Sequence, residues 1–174
     1  RYRGRIARNG GLILKHAAFD TSSNTYNDTM LLQSIYLYKK ALNYYSQEEF
    51  CKYELANTAL GLANTYSLLD SISESSAILS SIDTVGLPLI LRLKIANEKA
   101  ENVLRQGNNM LANKYLKDAD KISNEYYDLP EYMQSRIIRQ KIRTKHLLKE
   151  TVNSSNIDPT SNSLIDLQSR ALQF

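Results

Sequence analysis

Two histidines, His16 and His146, and one cysteine, Cys51, are the chain's whole stock of imidazole and thiol ligands. They stand far apart and make neither an HxxxH nor a CxxC arrangement, so no zinc site is expected. Serine is abundant, yet no GxSxG elbow occurs. The nearest glycine-bearing segment, Ala59–Asn64 (ALGLAN), is helical by pattern and lacks the strand–turn–helix setting a nucleophilic serine needs. Arg8–Gly11 (RNGG) has some of the look of a phosphate cradle, but neither GxxxxGK[ST] nor GxGxxG is present. It reads instead as a turn or a helix break. The acidic pairs Glu48/Glu49 and Asp118/Asp120 fall on solvated faces by pattern. The expectation is of no catalytic residue, no metal and no cofactor.

Two other groupings suit binding rather than catalysis. Arg136, Arg139, Arg143 and His146 fall within an arc of about 80° if their segment is helical. Lys141, Lys145 and Lys149 lie nearby, and no acid intervenes between Glu131 and Glu150. Arginine forks match carboxylates, so this face suits an acidic partner segment, or else it is a solvated face paired with Glu125 or Asp128. The second grouping is aromatic. The chain has 12 tyrosines and no tryptophan, with Tyr36, Tyr38, Tyr44, Tyr45 and Tyr53 around one expected hairpin. A ring with a polar tip serves at interfaces, and most of these rings should sit half-buried between helices. Tyr36 and Tyr44, off the small-residue face, are the interface candidates.

The elements that would carry these residues are helical. Apolar positions recur at three and four, with no convincing alternation. Eight helices are expected, roughly 3–19, 28–46, 49–69, 72–83, 88–105, 108–127, 130–151 and 160–173, with Asp20–Thr29 a polar loop rich in N-caps. Residues 1–152 make one helical repeat domain, 153–163 a polar linker or loop, and 164–174 a capping or continuing helix. Pro88, Pro130 and Pro159 all stand where helices can begin. The arginine at position 1 suggests a piece of a longer protein.

Composition narrows the class. At 174 residues and 43% hydrophobic content, one globular domain is affordable. Net charge is +4, with +3 over residues 1–50 and +3 over 101–150, too mild for a nucleic-acid binder. No stretch has the length of apolar sequence that a membrane span needs. A lone cysteine fits a reducing compartment, hence an intracellular, cytoplasmic or nuclear protein. The acceptor triplets at Asn27 and Asn153 are of a kind that chance supplies in so Asn- and Ser-rich a chain.

A repeat emerges from the small residues. Ser34, Tyr38 and Ala41 share their spacing with Ser75, Leu79 and Ile82, and with Ala112, Leu116 and Ala119, at offsets of 41 and 37 residues. Twelve residues before Ser75 and Ala112 stand Ala63 and Ala100, each followed three later by Tyr66 or Val103, with Asp70 and Gly107 at the turn. Small side chains let helix axes approach to the usual 8–10 Å. This pattern resembles the tetratricopeptide repeat over roughly Thr29–Thr151, though its units exceed the family's usual ~34 residues and the tryptophan position is missing. The first unit keeps only its second helix, the one before it lying beyond the Asp20–Thr29 loop. Within 130–151, Met133, Ile137 and Leu148 form one apolar side and Ile138 and Ile142 another, as a helix packed on two sides requires.

The resemblance implies an all-α fold of antiparallel hairpins stacked as a right-handed α-solenoid. Stretched, degenerate repeats of this kind are similar to those in subunits of large eukaryotic assemblies such as the anaphase-promoting complex, in cohesin-loader subunits and in PI3-kinase-related kinases. The function expected is a non-catalytic scaffold or adaptor binding other protein subunits or peptide segments, acidic ones included. A helical accessory region of a large enzyme is the alternative, and a nucleic-acid-binding array a third.

Overall fold

The computed structural model describes residues 1–124, 140 and 142–149. Helices α1 (Tyr2–Ala17), α2 (Asp28–Ser46), α3 (Lys52–Leu68), α4 (Ile72–Ser81), α5 (Leu89–Arg105) and α6 (Asn109–Asn124) follow in order, and residues 142–149 are helical too. The chain is therefore mainly α-helical, as its periodicity demands. The linker over 153–163, the helix over 160–173 and most of 130–151 lie outside the described residues.

Three sequence expectations need correction. Between α1 and α2 the chain is not simply a polar loop but an antiparallel hairpin, β1 (Phe19–Asp20) with β2 (Thr25–Tyr26). Two-residue strands are too short to leave alternation in a sequence. The Phe19 and Tyr26 rings pair across them with centroids 5.1 Å apart, and the Asp20 carboxylate accepts from the Ser22 and Ser23 hydroxyls at 2.7 and 2.8 Å. Those bonds hold the Asp20 carboxyl down at about 2. Asn27 then caps α2, accepting from the Met30 amide at 3.1 Å.

The second correction concerns Arg8–Gly11, which is neither turn nor break: α1 runs straight through it. The third follows from the first two. The Asp20–Thr29 segment does not part α2 from the helix before it, because the hairpin returns α2 onto α1.

The glycines of α1 are there for close approach. A β-carbon at Gly4 would stand 2.7 Å from the Tyr45 ring, and one at Gly11 3.2 Å from the Ser34 carbonyl and 3.3 Å from the Tyr38 ring. On the far side of Tyr38 a β-carbon at Gly61 of α3 would stand 2.9 Å away. The Tyr38 ring, 2% exposed, is thus clasped between α1 and α3. Burial pushes its hydroxyl up to about 12.

The same approach is made elsewhere with alanine and serine. Ser34, Ser75, Ala100 and Ala112 are all buried, as are Ala63 and Ala119. Ser34 Oγ also donates to the Gly11 carbonyl at 2.7 Å, so a small polar residue satisfies itself where two backbones meet.

Neighbouring helices run antiparallel. Gly4 meets Tyr45 and Gly11 meets Ser34 across α1–α2, while Leu93 clusters with Ala119 and Ala100 with Leu116 across α5–α6. Alternate helices run the same way. Arg1 and Lys15, at the two ends of α1, reach Cys51 and Asn64 at the start and the body of α3. Ala56, Leu60 and Ala63 of α3 share a core with Leu91 and Ile95 of α5, and Ser67 bonds Asn102 further along. Gln140 and Thr144 meet Asn97, and Leu147 and Leu148 pack by Ala100 and Leu104, so the 142–149 stretch extends the row.

Two turns repeat atom for atom. After α3, the Asp70 amide donates to Ser67 O at 3.1 Å and the Ser71 amide to Tyr66 O at 2.9 Å. After α5, the Gly107 amide donates to Leu104 O at 2.8 Å and the Asn108 amide to Val103 O at 3.0 Å. Asp70 and Gly107 are both left-handed, φ 60° and 77°. Both turns are Schellman caps, 37 residues apart.

Gly61→Ala tests the clasp. Alanine's better helix propensity contributes about 0.5–1 kcal/mol, but displacing the walled-in Tyr38 ring costs about 1–3 kcal/mol. The expected result is a net loss in urea unfolding. Gly10→Ala, whose β-carbon would meet only the Leu37 side-chain tip at 3.0 Å, leaves stability unchanged or raises it. Alkaline titration gives a second check. Unfolded Tyr38 releases its proton near 10, but the folded residue does so only near 12. The native state therefore holds the extra proton, and stability that is intact below pH 10 falls as pH rises toward 12. Tyr38→Phe flattens that fall.

Candidate functional site

The same-way row α1, α3, α5 and 142–149 brings charged and amide groups from each member together. Lys15 Nζ of α1 donates to Asn64 Oδ1 of α3 at 3.0 Å. Burial pushes the Lys15 ammonium below its ordinary value, an effect partly offset by Glu98 of α5 and reinforced by Lys94. Glu98 in turn accepts from Arg143 Nη1 at 2.8 Å, and Glu101 accepts from Arg143 Nη2. Burial alone would lower the Arg143 guanidinium; Glu98 and Glu101 outweigh it and raise it. The result is a polar band crossing the row: Lys15, Asn64, Lys94, Glu98, Arg143.

Two buried amides staple the row beneath this band. Asn97, fully buried, donates to Gln140 Oε1 at 3.1 Å and accepts from Thr144 Oγ1 at 2.9 Å. Asn102, 1% exposed, donates to Ser75 Oγ at 2.7 Å and accepts from Ser67 Oγ at 3.3 Å. Arg105 completes the second staple, donating to Ser67 O at 2.8 Å and to Asp70 Oδ1 at 2.7 Å. A cation thus sits at the C-terminal end of α3, where the helix dipole favours it.

The partner-binding candidates fare differently. Arg143 is not an open cation: Glu98 and Glu101 of the chain's own α5 occupy both arms of its fork. The sequence suggested Glu125 or Asp128 as pairing acids instead, because adjacency in sequence hides a neighbour 45 residues back. His146 is exposed. Arg136 and Arg139 lie outside the described residues, so the proposed arc is seen at two of its four members. Tyr36 is 63% exposed on α2, beside exposed Leu32, with the Lys40 ammonium 6.0 Å from its ring centre. Tyr44 is half-buried against the core of Ala7, Ala41, Tyr45 and Cys51, which leaves it a packing residue. Ile142, assigned to an apolar side, is exposed, whereas Leu148 packs as expected. Leu147 and Thr144 are the buried positions there that periodicity passed over.

One exposed residue was missed altogether. Phe50, in the α2–α3 turn, is 87% exposed and left-handed at φ 61°, its carbonyl held by Arg1 Nη2 at 3.1 Å. A bulky residue in that region costs about 1–2 kcal/mol, and its ring recovers none of this by burial. Only its oddity as a phenylalanine among polar turn residues, SQEEFCKY, could have flagged it. Among the described residues no three His, Cys, Asp or Glu side chains gather as a metal site would need, and no helix is long and apolar enough to cross a membrane.

Asn102→Leu, close in volume, removes the partner of Ser75 and should cost about 1–3 kcal/mol in thermal or urea unfolding. An unchanged midpoint would show that the staple carries nothing. Phe50→Gly, by contrast, should leave the unfolding midpoint unchanged or raise it.

Compared with known family models, curated proteins and solved structures, the chain matches none.

Proposed function

We infer that this protein is a non-catalytic protein–protein interaction scaffold, a TPR-like α-solenoid serving inside a larger assembly. The observation that carries this reading is the pair of identical caps at Asp70 and Gly107, offset by 37 residues, with Ala63/Ala100 and Ser75/Ala112 buried at the same offset on either side. A chain that repeats its turn bond for bond presents equivalent surfaces at a fixed interval. An extended or helical peptide can be followed along such a surface.

The polar band is the surface we assign to that peptide. Lys15 supports this choice, because its ammonium is held in a partly buried place where it is disfavoured. An acidic partner residue would relieve that cost, since opposite charge favours the protonated amine. Partners would be other protein subunits in the cytoplasm or nucleus.

Affinity purification of the full-length protein under native conditions tests the reading, with stoichiometric co-purifying proteins identified by mass spectrometry. Wild type should retain a defined set. Lys15→Met, which keeps the side chain's bulk and removes the disfavoured charge, should unfold no earlier than wild type yet lose about tenfold in partner retention. Retention of nothing by the wild type, or strongly salt-dependent binding of RNA or DNA in its place, would end the scaffold reading.

A further inference from the structure

Among the described residues α1 and the 142–149 stretch stand at the two ends of the same-way row, and the outer flank of α1 carries a stripe of exposed apolar side chains. Helix α3 has α1 on one side and α5 on the other, and α5 has α3 and the 142–149 stretch. Helix α1 meets α3 along the edge marked by Arg1 and Lys15, which bond Cys51 and Asn64. At about 100° per residue, Tyr2, Ile6 and Ile13 share an arc of about 40°, and it lies about 140° round the helix from that edge. These three are 68%, 55% and 66% exposed. A stripe of one tyrosine and two isoleucines at a spacing of four and seven is the seam of a helix–helix contact.

Charge names the kind of helix that fits. Arg3 borders the stripe on one side; Arg5 and His16 border it on the other, all exposed. Residues 2–17 contain no aspartate or glutamate at all, while Arg8 and Lys15 add two more cations. A partner helix with basic borders would be repelled from both sides. One with acidic borders would be steered in and paired.

We propose that the Tyr2–Ile6–Ile13 flank of α1 docks an amphipathic helix of another protein, one with an apolar seam bordered on both sides by aspartate or glutamate. The proposal rests on the scaffold reading and specifies one partner's chemistry. The incoming helix continues the row that α3 and α5 already form, so its seam meets the stripe as α3 meets α1's opposite edge. The isoleucines supply the apolar contact and Arg3 and Arg5 fix its register.

Site-specific photo-crosslinking decides it. The full-length protein carrying Ile13→p-benzoylphenylalanine is irradiated in its own cells, and crosslinked peptides are sequenced. The expected product is one protein segment with apolar residues at three- and four-residue spacing and acids on both borders. Its yield should fall at least about fivefold in Arg3→Glu/Arg5→Glu, whose exposed positions leave unfolding unchanged. Crosslinks to a second copy of this chain, to lipid, or to a segment without acidic borders would overturn the proposal, and so would no crosslink. Failure of the scaffold reading is separable. If partners are still retained in a Lys15-dependent way while the α1 crosslink is absent, only this inference falls; if wild type retains no partner, both do.

Discussion

The packing of α1, α2 and α3 is organised round the absence of a few β-carbons. Tyr38 can lie against both α1 and α3 because Gly11 and Gly61 leave room for its ring. Tyr45 likewise lies on Gly4. Both rings come from α2 and take the space that glycines leave on α1 and α3. That exchange lets the three helices approach closely at these positions. Close-packed interiors tolerate no loose fit here, since a gap as small as a methyl forfeits dispersion contacts on both walls.

Polar groups then fix which arrangement of these rods is allowed. Small residues would let adjacent helices slide, but Asn97 and Asn102 are fully engaged only at one register. A buried amide left without partners costs more than its bond contributes. Such staples therefore act more on specificity than on net stability. Arg143, locked by Glu98 and Glu101, belongs with them.

The helices, and the small-residue positions at 34, 75, 100 and 112, were legible in the sequence because both follow from local spacing. The turn equivalence of Asp70 and Gly107 was legible too, since a left-handed cap selects from few residues. What stayed hidden depends on contacts distant in sequence. Gly11 reads as part of a turn or break until Tyr38 is seen lying on it, and nothing in the sequence singles out Gly4 as the seat of Tyr45. Arg143 reads in the sequence as facing an acidic partner or paired with Glu125 or Asp128, and its actual acids, Glu98 and Glu101, come from α5. Phe19 and Tyr26 formed a strand pair too brief to register as a pattern. Periodicity marks which face is buried; it carries no information about what buries it.

The β1–β2 hairpin has a consequence for engineering. The Ala18 carbonyl accepts from the Asn27 amide at 2.8 Å, so the neck of this excursion is closed by its own hydrogen bond. Helices α1 and α2 receive their alignment from that neck and from their packing, not from the residues at the tip. Ser22–Asn24 is thus a natural graft point. A fluorescent reporter or epitope tag inserted there would ride outside the bundle without disturbing its spacing.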